Sequence, residues 1–306
     1  MCLPNLVIAG APKCGTSSLF KWLSDHPHVC GSRVKEAFYL MDKGHPLLKH
    51  NSNFHDHGLE GYKTYFKNCD NYSKIILEST THYMYQKTAL DVLSRLEIKP
   101  QIIFVLRKPS SRIYSSFQYT KNNLGNVDKN IDFSQFIRIV KNDSNDSFEY
   151  ITNIFAESAY VLKNDIKYSK YIEYITPWVK LFGKDKIYIC LFEDMKRDPL
   201  TFTKRISEYI GLDPAFYQKY HFPVMNETLY IKSKVLHRQA RRLANLIPPN
   251  SFKNFLKAMY RAMQVDKKKS SITQEDRATL EALDSEFLPF NKRLADEFDI
   301  DISAWE

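Results

Sequence analysis

The sequence predicts an α/β protein in which a central parallel sheet is flanked by helices and the last residues form a helical cover. Short apolar runs alternate with helical apolar spacing through residues 1–120, an order typical of parallel sheets with helices on both faces. The chain has 306 residues, of which 43% are hydrophobic and 26% charged, so it can bury one large core.

Four short, mainly apolar runs are predicted to form buried strands. They span residues 3–9, 74–77, 101–106 and 186–192. Helices are predicted where apolar residues recur at helical spacing, often beside a proline. They span residues 16–26, 88–96, 133–140, 159–182 and 199–210, with one more from about 109 and a kink at Pro177. The order of these elements predicts one domain with three parts. Residues 1–120 form a βα core, residues 121–225 hold a long helix, the fourth strand and a helix, and residues 226–306 form a strand-free helical cover.

The formal net charge of +9 favours an anionic partner, such as a phosphorylated nucleotide or an acidic glycan. No nucleic-acid-binding motif accompanies the basic residues, so no nucleic acid partner is expected. No apolar run approaches the roughly 20 residues of a membrane-spanning helix, and no segment resembles a signal peptide.

The five cysteines are odd in number, irregularly spaced and without a CxxC pair. This pattern predicts neither a disulfide framework nor a structural zinc site, and we expect a reducing compartment and a cytoplasmic location.

The loop between the first strand and the first helix, residues 10–18, carries the groups of an anion site. Gly10 and Gly15 permit a tight turn, Lys13 adds a positive charge, and backbone N–H groups at a helix start attract anions. The candidate ligands are Lys13, Cys14, Gly15, Thr16, Ser17 and Ser18. An ATP-binding P-loop has Lys where Thr16 stands, so the sheet is P-loop-like but the loop speaks against a kinase or ATPase.

Arg107 is predicted to end the third strand, at the edge of the sheet where ligands of open α/β sheets bind. Its guanidinium suits a phosphate, and the hydroxyl of Ser115 on the next helix suits the same group. Two anion sites at neighbouring strand ends predict a ligand with two separated anionic groups. An arginine paired with a carboxylate stays open as the alternative.

Together these segments resemble the sulfotransferases that use 3'-phosphoadenosine 5'-phosphosulfate (PAPS). The family's loop pattern P-K-x-G-T-[ST]-x-L is matched at 12–19, and its L-R-x-P-x-x-R-x-x-S pattern is matched at 106–115. The stretch 171–199 is similar to the family's helix–strand–Glu-Asp–Asp-Pro segment. The residues K-E-A-F-Y at 35–39 resemble the K-E-x-x-F segment of the heparan-sulfate N- and 3-O-sulfotransferases and their bacterial relatives.

The resemblance implies PAPS as the sulfuryl donor, its bisphosphate PAP as the product, and no metal. Glu36 would be the general base in an in-line transfer, and Lys13 would stabilise charge on the leaving oxygen. The loop residues would hold the 5'-phosphate, Arg107 and Ser115 would hold the 3'-phosphate, and Lys232 and Lys234 would close over the cofactor.

Several alternatives stay open. His82 is a rival base or a substrate contact, since the small-molecule sulfotransferases use a histidine. A P-loop kinase or ATPase would need magnesium and no 3'-phosphate, and a non-catalytic nucleotide- or glycan-binding protein would bind PAP without turnover. The acceptor, a hydroxyl or amine of a glycan or small molecule, and the oligomeric state are not predicted.

Overall fold

The computed structural model describes residues 2–70, 72–128, 130–142, 156–225, 230–231, 265–266 and 272–306. The chain divides into two compact units. The first comprises Met1–Arg112, Lys167–Asn226 and Phe287–Glu306, and the second comprises Ile113–Ile166 and Glu227–Glu286. The single domain expected from the sequence stays a prediction.

A five-stranded sheet forms the centre of the first unit, in the order β2-β3-β1-β4-β5. Its strands are β1 Leu6–Gly10, β2 Val29–Gly31, β3 Ile75–Glu78, β4 Gln101–Leu106 and β5 Ile187–Leu191. All neighbouring strands are parallel. Every residue of β1 is buried, as the continuous apolar run predicts for a strand covered on both faces. The predicted α/β class with a central parallel sheet is therefore confirmed.

Most of the helices predicted from apolar spacing are present in the described residues. They are α1 Thr16–Ser24, α2 Phe54–Lys63, α3 Lys87–Ser94, α4 Pro109–Gln118, α5 Phe133–Asn142, α6 Ala156–Tyr168, α7 Tyr171–Phe182, α8 Phe192–Arg197, α9 Pro199–Tyr209 and α10 Gln274–Phe298. Short 3-10 turns lie at Thr64–Phe66, Thr81–Tyr85, Lys184–Lys186, Pro214–Lys219 and Ser303–Trp305, and a π-helical turn lies at Tyr119–Leu124. Across these ranges, no helix is both long and apolar enough to cross a membrane.

The long helix predicted over 159–182 is wrong in one respect, because the structure divides it into α6 and α7. The break falls at Ser169 rather than at Pro177, which lies inside α7. The fully buried Arg112 donates to the Ser169 hydroxyl oxygen from Nε at 3.0 Å and from Nη2 at 2.7 Å. A contact between residues 57 positions apart thus stabilises the break, and local spacing does not reveal it.

Two strand predictions also need correction. The three-residue β2 was missed, because a strand of that length shows no periodicity. The last hundred residues, expected to lack strands, contain the antiparallel pair β6 Tyr230–Ile231 and β7 Val265–Asp266.

A disulfide joins Cys30 of β2 to Cys69, 39 residues later, although the cysteine pattern had predicted no disulfide framework. The cysteine spacing did not indicate it, because Cys30 lies on the strand that the sequence did not predict. Disulfides are rare in reducing compartments. The cysteine pattern therefore no longer supports a cytoplasmic location, which stays a prediction.

Candidate active site

The phosphate loop, residues 10–18, joins the central strand β1 to α1. The Ala11 N–H donates to the Val105 carbonyl oxygen at 2.9 Å, which ties the loop to β4. Lys13 and Gly15 have left-handed backbones, with φ of 69° and 81°. A Cβ at Gly15 would lie 2.8 Å from Cδ2 of Phe192. Glycine is therefore required here by both backbone conformation and space.

The N-terminus of α1 has no side-chain cap among the described residues. Its N–H groups and the positive end of the helix dipole suit an anion. Thr16 and Ser18 are buried, and the Ser18 hydroxyl oxygen accepts from the Met225 N–H at 2.9 Å. Ser18 thus stabilises the surrounding fold in addition to its predicted role as a ligand.

Cys14 lies in the phosphate loop with its side chain fully buried. Its Sγ lies 3.6 Å from the Pro12 carbonyl oxygen and 3.9 Å from Oη of Tyr171. Burial raises the pKa of the Cys14 thiol to about 12, so the thiol stays protonated.

Arg107 follows β4, which pairs with β1, and the structure brings its side chain to the phosphate loop. Its Nη1 donates to the Lys13 carbonyl oxygen at 3.4 Å. Its Cζ lies 4.8 Å from the centre of the Phe192 ring, and its own carbonyl oxygen accepts from Tyr171 Oη at 2.9 Å. The sequence indicated the two anion sites, but Phe192 and Tyr171 were not recognised as their supports.

The roles of the other predicted cofactor ligands are not tested by the structure. Ser115 lies on α4 within the second unit, so its role stays a prediction. Lys232 and Lys234 fall outside the described residues.

Glu36 lies in a loop with left-handed backbones, φ being 62° at Glu36 and 51° at Phe38. Its N–H donates to the Ser79 carbonyl oxygen at 2.8 Å. Its carboxylate accepts from the Thr81 N–H at 3.1 Å and pairs with Lys35 Nζ at 2.5 Å. Glu36 is 26% exposed, so a substrate can reach it. Lys35 and Thr81 are neighbours of Glu36 that the sequence analysis did not assign.

Glu78 ends β3 beneath this loop and is fully buried. Its Oε1 accepts from the Thr80 hydroxyl at 2.6 Å, and Thr80 Oγ1 accepts from the Phe38 N–H at 3.4 Å. No described residue bonds its Oε2. Burial, with a smaller contribution from the charge of Glu36, raises the pKa of Glu78 to about 8. Glu78 is therefore largely protonated at neutral pH.

His82 lies on the 3-10 turn that follows β3 and is 7% exposed. Burial lowers its pKa to about 3, with smaller contributions from the positive groups His45, Arg112 and Lys35. No described residue bonds its Nδ1. Within the described residues, no group of three or more His, Cys, Asp or Glu side chains is placed to hold a metal ion.

The chain as a whole matches a known protein family over most of its length. The family model described as the sulfotransferase domain matches residues 3–282. This chain belongs to the sulfotransferase family. The membership decides against the kinase or ATPase alternative.

Curated relatives of this sulfotransferase include carbohydrate-modifying enzymes. It is 22% identical over 223 residues to mouse (Mus musculus) bifunctional heparan sulfate N-deacetylase/N-sulfotransferase 4, covering 70% of this chain and 23% of that protein. It is also 22% identical over 256 residues to mouse carbohydrate sulfotransferase 15, covering 70% of this chain and 44% of that protein. The chain thus spans less than half the length of either relative.

The crystal structure of a sulfotransferase from Alicyclobacillus acidocaldarius has the same fold. The TM-score is 0.65 at 17% identity, over 100% of this sulfotransferase and 99% of the other chain.

Proposed function

We propose that this sulfotransferase moves the sulfuryl group of PAPS to a hydroxyl or amine of an acceptor. The contact between its two candidate anion sites carries the proposal, with Arg107 Nη1 lying 3.4 Å from the Lys13 carbonyl oxygen. The uncapped start of α1 suits the 5'-phosphosulfate, and the Arg107 guanidinium suits a second phosphate on the same ligand. A nucleotide that carries both 5'- and 3'-phosphates fits this pair, whereas the phosphates of ATP form a single chain.

The residues of the site divide the chemistry between the donor and the acceptor. An acceptor oxygen or nitrogen forms a bond to sulfur while the bond from sulfur to the bridging phosphate oxygen breaks, leaving PAP. Lys13 stabilises the negative charge that develops on that oxygen, and the acceptor's proton passes to the Glu36 carboxylate. Thr81 and Lys35 hold the carboxylate in one orientation.

Exposure favours Glu36 as the base, and the lowered pKa of His82 argues against the histidine. Glu36 is 26% exposed and can meet an acceptor directly or through one water molecule. His82 is 7% exposed, and a pKa of about 3 makes it a weak proton acceptor at neutral pH. His82 then remains a candidate for contact with the acceptor.

A glycan is the acceptor class that we favour. Two relatives are named for heparan sulfate and for carbohydrate, and the net charge of +9 suits an acidic polymer. A small hydroxylated molecule is the competing outcome of an acceptor screen.

The nucleotide class is tested by calorimetry with PAP, AMP and ATP in the absence of magnesium. We expect strong preference for PAP, and Arg107→Ala should weaken PAP binding by roughly 10- to 100-fold because it removes charge-assisted hydrogen bonds. Arg205→Ala, which changes an exposed arginine of α9, is the matched control. Equal binding of AMP, or better binding of ATP, would refute the proposal.

The base is tested by release of PAP from PAPS in the presence of polysaccharide and phenolic acceptors. Glu36→Gln should lower kcat by roughly 10²- to 10⁴-fold, as expected for loss of a general base, with the Kd for PAP unchanged. His82→Asn should retain most of kcat. The reverse pattern would assign the base to His82.

A further inference from the structure

The residue that follows Arg107 is anchored to a segment far along the chain. The Lys108 N–H donates to Glu193 Oε1 at 3.0 Å, and Trp305 Nε1 donates to Glu193 Oε2 at 3.0 Å. Both carboxylate oxygens of Glu193 are therefore engaged, one by the backbone beside Arg107 and the other by the indole. Glu193 belongs to the stretch 171–199 that is similar to a family segment, whereas Trp305 lies outside all the matched patterns.

Trp305 is a packed part of the first unit. It is 5% exposed, and its backbone N–H donates to the Ile302 carbonyl oxygen at 2.8 Å. Its ring centre lies 6.2 Å from that of Tyr171. Tyr171 in turn donates its hydroxyl to the Arg107 carbonyl oxygen. Two routes thus lead from the turn at Ser303–Trp305 to the Arg107 backbone, through Glu193 and through Tyr171.

The neighbour of Glu193 contacts the Arg107 side chain itself. The Phe192 ring lies 4.8 Å from the Arg107 guanidinium carbon and packs against Gly15 of the phosphate loop. Residues 192 and 193, at the start of α8, therefore contact both ends of Arg107: one contacts its guanidinium, and the other bonds the next peptide N–H. Such contacts restrict the Arg107 side chain before a ligand binds. Less side-chain entropy is then lost on binding.

We propose that Glu193 and Trp305 are positioning residues for the nucleotide site, and that they aim the Arg107 guanidinium at the 3'-phosphate. This inference rests on the proposed function, in which Arg107 binds that phosphate. Neither residue needs to touch the nucleotide. Their effect should appear in the discrimination between a nucleotide with a 3'-phosphate and one without it.

The test compares the Kd values of PAP and AMP in wild type, Glu193→Gln, Trp305→Phe and Arg107→Ala, in the full chain. Glutamine has one acceptor oxygen and loses one of the two bonds, while phenylalanine keeps a ring and loses the N–H donor. We expect the ratio of the AMP Kd to the PAP Kd to fall roughly 3- to 10-fold in either variant, on the scale of the net contribution of one ordinary hydrogen bond, because the effect on the phosphate contact is indirect. The Kd for AMP itself should change less than about twofold, because AMP uses the phosphate loop and not Arg107.

A double-mutant cycle with Arg107 separates positioning from general stability. In the Arg107→Ala background, Glu193→Gln should leave the ratio of the AMP Kd to the PAP Kd unchanged, because the effect of Glu193 passes through Arg107. Glu208→Gln on the exposed face of α9 is the control and should retain the wild-type ratio.

The outcomes distinguish the two proposals. If wild type prefers PAP and Arg107→Ala abolishes the preference, but both Glu193→Gln and Trp305→Phe keep the wild-type ratio, the positioning role is overturned and the proposed function stands. A lowered Tm with an unchanged ratio overturns the positioning role in the same way, since it reveals a structural role only. If wild type does not discriminate PAP from AMP, the proposed function fails and the positioning role fails with it.

Discussion

Replacing the buried carboxyl of Glu78 with an amide should change how stability depends on pH. Burial raises the pKa of Glu78 to about 8 from its ordinary value of 4.5. Between those values the folded protein holds a proton that the unfolded chain releases. The free energy of unfolding of wild type should therefore decrease with rising pH, by about 1.4 kcal/mol per pH unit from this group, and should level off above about pH 8.

Glu78→Gln removes this titration and keeps an acceptor for the Thr80 hydroxyl. Over the two pH units from about 5 to 7, the stability of the variant relative to wild type should rise by about 3 kcal/mol. Urea unfolding at several pH values measures the difference, in which the titrations of groups that do not interact with Glu78 cancel. Glu208→Gln, an exposed change, should show no such trend. A Glu78→Gln difference that is the same at every pH would refute the reasoning, because it would mean that Glu78 titrates normally in the folded protein.

Three further changes test other parts of the structure. His82→Asn should remove the loss of stability that His82 causes as the pH falls below about 6.5, because the unfolded chain then takes up a proton that folded His82 does not. Parallel plots of unfolding free energy against pH for wild type and variant would contradict this. Gly15→Ala should cost about 1–3 kcal/mol of stability and weaken PAP binding, since φ is +81° and the new Cβ would collide with Phe192; an unchanged Kd for PAP would show that the loop tolerates the methyl group. Cys30→Ser combined with Cys69→Ser should lower the free energy of unfolding in urea by about 4 kcal/mol, given a separation of 39 residues. A reductant should lower the stability of wild type by the same amount and leave the variant unchanged. If a reductant does not change the stability of wild type, the cysteines are not bridged.

Most of the sheet could be predicted because its strands are buried on both faces. The predicted strands at 3–9 and 101–106 contain the continuously apolar stretches 6–9 and 102–106, and these stretches lie in β1 and β4. The strand β2 could not be predicted, since three residues carry no periodic signal. Its pairing with β3 joins residues that are far apart in the sequence. The disulfide at Cys30 was missed for the same reason.

The candidate site could be predicted in part, where its chemistry is encoded by neighbouring residues. The phosphate loop is a short segment whose glycines, lysine and hydroxyls are adjacent in the chain, and Glu36 follows Lys35 directly. The placement of Arg107 and the loop at neighbouring strand ends was expected on the general ground that parallel strands end at one edge of a sheet, whereas their direct contact is visible only in the structure. Its supports on α8 could not be predicted, because Phe192 lies 85 positions from Arg107 and aromatic residues are abundant in this chain.

The linear sequence was sufficient to indicate an α/β fold, an anion-binding loop and membership of a nucleotide-dependent transferase family, because each depends on local spacing or on a contiguous motif. Folding alone determined which groups are charged and how they are oriented. Glu78 and His82 are ordinary titratable residues in the sequence, and burial favours the neutral form of both, by raising the pKa of Glu78 and lowering the pKa of His82. Glu193 and Trp305 acquire a role only because folding brings residues 108, 193 and 305 within hydrogen-bonding distance. Desolvation and long-range contact are properties of the packed chain, so they have no signature in any short stretch of it.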